Sequence, residues 1–130
     1  MAWIAMALTC ILAIATAAGA AAAQSYPAKP IQVLIPFTSG AGTDLIARAT
    51  GEEFKTHLGQ PFVYLNKEGA SGMIAFGELT RAAPDGYTVV FAPNGQMTLM
   101  QHIRKEMPFD PAKVDPICQL FEAQFAVAVS

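Results

Sequence analysis

Three short stretches of this chain combine glycine with hydroxyl or amide side chains: Thr38-Ser39-Gly40-Ala41-Gly42-Thr43-Asp44, Gly69-Ala70-Ser71-Gly72 and Asn94-Gly95. Small residues leave backbone N–H groups uncovered. Where such a loop opens a helix, those groups carry the partial positive charge of the helix N-terminus. The chemistry on offer is anion binding without a cationic side chain, and a carboxylate or phosphate is the natural guest. Thr38, Ser39, Thr43, Ser71 and Asn94 add neutral hydrogen-bond donors. Any single glycine turn is what an α/β connection needs for its geometry alone. Recurrence three times, each with polar side chains, favours a ligand.

Two catalytic chemistries compete for the same residues. Gly40-Ala41-Gly42-Thr43-Asp44-Leu45 matches the first two glycines of the dinucleotide fingerprint, but Leu45 stands where the third belongs. The acidic residue expected after the second strand would have to be Glu68, which already lies in another turn. A dinucleotide-binding oxidoreductase is therefore the weaker alternative. Gly69-Ala70-Ser71-Gly72-Met73 approaches the serine-hydrolase elbow with its last glycine displaced by one, and no oxyanion motif accompanies it. His57 and His102 are the only candidate bases; His57 falls near a helix end, where a cation suits the dipole, and His102 reads as surface. No pair of histidines or carboxylates has metal-ligand spacing, and no cofactor is expected.

The elements that position these loops follow from hydrophobic patterning. Ile31 to Pro36, Pro61 to Leu65 and Tyr87 to Ala92 are short runs rich in branched and aromatic residues, each bounded by turn residues, and they read as buried strands. Between them lie amphipathic stretches. The first opens at Thr43 or Asp44 as N-cap and closes at Gly59, with Leu45, Ile46, Ala49, Phe54 and Leu58 on one side and Arg48, Glu52 and Lys55 on the other. The second runs from Met73 to Ala82 and ends at Pro84-Asp85-Gly86, and a third runs from Met97 to about Arg104. The order βαβαβα with apolar strands predicts an α/β fold whose parallel sheet is covered on both faces. The three loops that carry these stretches, Phe37 to Asp44, Lys67 to Gly72 and Pro93 to Gln96, then lie at the carboxyl ends of the strands, where open parallel sheets bind ligands. Met73, Met97, Met100 and Met107 read as core filler. Beyond a Pro-containing linker at 107–111, Ile117 to Phe121 and Phe125 to Val129 are expected to be further strands.

Composition sets outer bounds. The chain has 130 residues and a formal charge of −2, which excludes a basic nucleic-acid surface. Residues 1–23 carry no charge and pass from an apolar core into the alanine run ending at Ala23, the pattern of a secretory signal peptide cut before Gln24. A transmembrane anchor is the competing reading of that segment, and the small-residue tail favours cleavage. Cys10 falls inside the signal without the small residue that a lipid-acceptor cysteine needs before it. Cys118 then remains alone, so no intramolecular disulfide is expected. Residues 24–130 are left as one folded unit.

Several ordered motifs give this unit a family resemblance. Tyr26-Pro-Ala-Lys-Pro-Ile, Pro36-Phe-Thr-Ser-Gly-Ala-Gly-Thr-Asp44 with Ala47-Arg48, Leu58-Gly-Gln-Pro61, Asn66-Lys-Glu-Gly-Ala-Ser-Gly72, Ala83-Pro-Asp-Gly-Tyr-Thr88 and Pro108-Phe-Asp-Pro111 together resemble the Bug (TctC-like) family. Those proteins are periplasmic receptors of tripartite tricarboxylate transporters. The resemblance implies part of the first lobe of a two-lobed, periplasmic-binding-protein-like (type II) fold, with the second lobe absent from the chain. It also implies a periplasmic solute-binding protein, not an enzyme, that captures a small carboxylate for the transporter's membrane subunits. Carried over, Thr38 to Asp44 and Gly69 to Gly72 form the carboxylate cradle, and Asn94-Gly95 a flanking wall. The first loop departs from the usual proline- and glycine-rich form, and Asn66-Lys67-Glu68-Gly69 stands where Asn-Arg-Pro-Gly is common. Glu68 beside an anion would repel it, so its side chain is expected to face solvent. The length predicts an incomplete lobe, either a cropped receptor or a truncated fragment without function.

Overall fold

The computed structural model describes residues 25–122. The expected strand from Phe125 to Val129 and the signal segment lie outside that range.

Three parallel strands form the sheet, in the order β2-β1-β3. β1 is Ile31–Ile35, β2 is Phe62–Asn66 and β3 is Thr88–Val90. β1 pairs in register from Ile31 with Phe62 to Ile35 with Asn66 on one side, and from Gln32 with Thr88 to Leu34 with Val90 on the other. A central strand has no solvent-facing edge, and Val33, Leu34 and Ile35 are all buried.

Alternation along the strands sends side chains into two clusters. Val33 and Ile35 meet Ala47, with Phe37, Phe62, Tyr64, Val89 and Phe91 around them. On the other face Met73, Phe76 and Phe109 pack with Val90, Ala92, Met97, Met100, Met107 and Val114. Val89 and Val90 thus go to opposite clusters, as a period of two requires. The methionines fill core space as expected.

Helix α1 spans Gly42–Leu58 and covers one face; α2, Met73–Leu79, covers the other. The N-cap of α1 is Ala41, which places Thr43 and Asp44 inside the first turn and not at the cap. Gly59 ends the helix in the left-handed region, with its N–H on the Lys55 carbonyl at 2.9 Å. The buried stripe also differs from the expected one. Asp44, Ala47 and Gly51 are buried, whereas Leu45 is 57% exposed and Ile46, Ala49 and Leu58 are exposed as well. Of the expected apolar side only Phe54 turns inward, toward Phe62 at 6.2 Å between ring centroids. Small residues at i, i+3 and i+7 let the helix axis approach the sheet closely, and this outweighs the larger side chains one position away.

The third helical stretch is broken into α3, Gly95–Thr98, and α4, Met100–Ile103, separated at Leu99. Residues 117–121 form no strand. Their apolar members Ile117 and Leu120 are exposed, and no neighbouring strand among the described residues pairs with them.

Candidate functional site

The carboxyl ends of β1 and β2 are tied together where the first two loops begin. The Lys67 N–H donates to the Ile35 carbonyl at 2.7 Å. Asn66, the last residue of β2, donates through Nδ2 to the Phe37 carbonyl at 2.9 Å and to Asp44 Oδ1 at 3.0 Å.

Asp44 is the buried centre of this arrangement, 1% exposed. Its Oδ2 accepts from Arg48 Nε at 2.9 Å and from the Gly40 N–H at 2.8 Å. Arg48 also reaches Asn66 Oδ1 at 3.3 Å and stacks over the Tyr64 ring at 4.8 Å. The Arg48 hydrogen bond, followed by the Gly40 N–H and the Asn66 amide, holds the Asp44 carboxyl well below the usual carboxylate range. Asp44 in turn raises the Arg48 guanidinium. One ionised carboxylate therefore fixes both ends of the first loop and the end of β2. Its own charge is neutralised, so it leaves no bare anion beneath the loop.

Above Asp44 the loop residues Thr38, Ser39, Gly40 and Gly42 are exposed, and Ala41 and Thr43 are half-buried. The Ala41 N–H closes a turn onto the Thr38 carbonyl at 3.1 Å, with Gly40 at φ 83°. No side chain caps the first turn of α1, so its amides remain available to a ligand.

The second loop is more constrained. Gly69, Ala70, Ser71 and Gly72 all have positive φ, at 119°, 48°, 59° and 88°. The Gly72 N–H returns to the Gly69 carbonyl at 2.9 Å, closing a left-handed turn. Ala70 and Ser71 are not glycine, and each costs about 1–2 kcal/mol in this conformation. Strain of that kind concentrates at ligand clamps and switch regions. Ala70 and Ser71 are exposed, and Arg104 donates to the Ala70 carbonyl at 3.3 Å.

Glu68 is exposed, as expected, but it does not simply point away. Its Oε2 accepts from Thr38 Oγ1 at 3.1 Å, bridging the first and second loops. The third loop reaches the other two through Gln96. Gln96 and Pro36 crowd the space over Gly72, each within 3.1 Å of where a Cβ on that glycine would stand. Asn94 itself is exposed and Gly95 half-buried. The expected site residues thus share one end of the sheet, with Asp44 beneath the surface and Asn94 at its margin.

Three contributors are not among the expected site residues: Arg48, Asn66 and Gln96, the last of which closes the expected third loop. The spacing of Asp44 and Arg48, four residues apart, was a legible helical pair signal. Asn66 and Gln96 carried none beyond their neighbourhood. Among the described residues no group of three or more His, Cys, Asp or Glu side chains is placed to hold a metal, and no helix is long and apolar enough to cross a membrane.

A family model described as the tripartite tricarboxylate transporter family receptor matches residues 46–130. The chain belongs to this receptor family. It is 36% identical over 109 residues to a UPF0065 protein of Bordetella pertussis, covering 84% of this chain and 34% of that one. It is 43% identical over 81 residues to the protein BugT of the same organism, covering 61% and 25%. Among solved structures, R. palustris Rpa4515 with adipate superposes with a TM-score of 0.62 at 34% identity, over 67% of this chain and 29% of that one. The receptor-family chain thus spans about a third of the length of the first of these relatives and less of the others. The family and the parallel α/β architecture agree with the sequence expectation, and the family's members are receptors.

Proposed function

We propose that this chain is the N-terminal part of an exported solute receptor that holds a small carboxylate at the carboxyl end of its sheet and presents it to the membrane subunits of a tripartite transporter. The observation that carries the reading is the pairing of two loops over a neutralised Asp44. The uncapped first turn of α1 and the left-handed turn at 69–72 meet at the ends of adjacent strands. The nearby Asp44 carboxylate is fully engaged by Arg48, Gly40 and Asn66. Such a surface offers backbone donors and helix-terminal dipole to an anion without a buried countercharge, with the exposed Glu68 carboxylate held at its edge by the Thr38 hydroxyl.

The cradle comprises Thr38, Ser39, Gly40, Ala41, Gly42 and Thr43 from the first loop and Gly69, Ala70, Ser71 and Gly72 from the second, with Asn94 and Gly95 at the margin. Asp44 belongs to it as a positioning residue, holding the loop from below. The relative solved with adipate supports a carboxylate as the ligand class. Family membership also supports binding, not catalysis, as the activity, and the periplasm as its compartment. No comparison points to a dinucleotide.

Two measurements test this. The mass of the product recovered from the periplasm of the source cell is expected to show removal of residues 1–23; a product retaining them would overturn the export step. Calorimetric titration with aliphatic and aromatic mono- and dicarboxylates is expected to reveal at least one ligand. Binding of none would overturn the carboxylate site proposed on these loops.

A further inference from the structure

Gln96 is, with Asp44, one of two buried polar side chains among the described residues, at 8% exposed. Asp44 is satisfied on every side, whereas Gln96 Oε1 is buried with no hydrogen-bond partner. Its Cγ and Nε2 lie 3.1 and 3.2 Å from where a Cβ on Gly72 would stand, and Pro36 Cβ lies 3.1 Å from the same point. One carboxamide therefore sits where the end of β1, the close of the second loop and the start of the third converge.

A buried acceptor without a donor bears its full desolvation cost with nothing in return. Native proteins leave few such atoms, and each calls for an explanation, one of which is a group that supplies the missing partner.

We propose that Gln96 is a specificity-determining residue of the carboxylate site: its amide oxygen accepts a hydrogen bond from a hydroxyl on the ligand carbon next to the bound carboxylate. The inference rests on the carboxylate reading above. Adjacency follows from position, because Gln96 lies against Gly72, the last residue of the turn assigned to the carboxylate. The terminal amide torsion of glutamine is broad, so the oxygen can swing toward a ligand at little cost. The donor is neutral and not an ammonium, because Asp44, the one buried carboxylate among the described residues, is already consumed by Arg48, Gly40 and Asn66. A buried cation facing a lone amide would lack a countercharge. A plain methylene in the same place leaves the acceptor orphaned, and that is how a site rejects an analogue lacking a hydroxyl.

The test is calorimetry on the full chain with matched pairs: succinate and malate, adipate and 2-hydroxyadipate, phenylacetate and mandelate. The hydroxylated member of at least one pair is expected to bind about tenfold tighter. Gln96→Met, nearly isosteric and without an acceptor, is expected to erase that preference by weakening the hydroxylated member about tenfold more than the plain acid. Gln96→Leu should give the same loss, with thermal melting confirming that both variants fold. Equal binding within every pair by the unmodified protein overturns the proposal and leaves the carboxylate reading standing. A preference that survives Gln96→Met, or an equal loss for both members of a pair, overturns it as well. Binding of none of the six acids overturns the carboxylate reading and this proposal together.

Discussion

Asn66 donates from a single amide nitrogen to the Asp44 carboxylate at 3.0 Å and to the Phe37 carbonyl at 2.9 Å, so the last residue of β2 grips both ends of the first loop. The loop's shape is therefore set by a buried polar network and not by its exposed residues, and disturbing that network should register first as stability.

Asp44 titrates lower in the folded chain than in the unfolded one, through Arg48, Gly40 and Asn66. Its stabilising contribution is full above the unfolded value, roughly pH 4, and is lost as pH falls from there toward the folded value. Asp85, held low by the Tyr87 N–H and by Lys29, acts in the same direction. Melting temperature should drop steeply below about pH 4. Asp44→Asn should melt lower at neutral pH and show a flatter acid limb. Melting curves from neutral to strongly acidic pH check this, and an acid limb identical to that of the unmodified chain would assign the sensitivity to other groups.

Gly51 and Tyr64 form a second testable pair. A Cβ at position 51 would collide with the Tyr64 hydroxyl and stand 3.0 Å from its ring carbon Cζ. Helix propensity alone favours Gly51→Ala by about 1 kcal/mol. Overpacking opposes it by about 1–3 kcal/mol, so the variant should be net destabilised. The Tyr64 hydroxyl is buried without a partner, so Tyr64→Phe should cost little or stabilise. Chemical denaturation of the double variant should show that Tyr64→Phe relieves part of the Gly51→Ala loss, a non-additive result. Strict additivity would mean that the contact does not matter.

Phe76 stacks on Phe109 with ring centroids 5.0 Å apart and an interplanar angle of 15°, joining α2 to the segment after the third loop. Phe76→Ala should cost about 3–5 kcal/mol, as core aromatic truncations do. Denaturant unfolding measures it. A loss under about 1 kcal/mol would mean that this side of the sheet contributes little to the cooperative unit.

The parallel sheet and the placement of all three loops at one end were legible in the sequence, because strand runs and glycine turns are local signals that tertiary packing did not override. The buried face of α1 was not. Leu45 and Ile46 outrank Ala47 and Gly51 in hydrophobicity, but close approach to β1 and β2 selects for small volume, which apolar counting ignores. The break at Leu99 was equally hidden, since Met97 to Arg104 contains neither proline nor glycine. Thr38 to Thr43 could be nominated from composition, yet the partners of Asp44 lie 4 and 22 residues away along the chain. Only the fold makes Asn66 part of that site. Gln96 is the clearest case, since its orphaned oxygen exists only in three dimensions.

The last prediction separates the cradle from the scaffold. Ser71 is exposed and already in the left-handed region, and Thr43 sits half-buried in the uncapped first turn of α1. Neither side chain belongs to either core cluster. A replacement that the left-handed region tolerates, such as Ser71→Asp, adds no new backbone restriction and brings a carboxylate onto the loop. Ser71→Asp and Thr43→Trp should therefore keep a melting temperature close to that of the unmodified chain while abolishing carboxylate binding, the first by repelling the anion and the second by occluding the loop amides. Calorimetry with whichever carboxylate the unmodified chain binds is the measurement. Unchanged affinity in both variants would remove the two loops from the site. Loss of binding with a large fall in melting temperature would make the residues structural, whereas loss with melting unchanged leaves the loop amides as the groups that hold the anion.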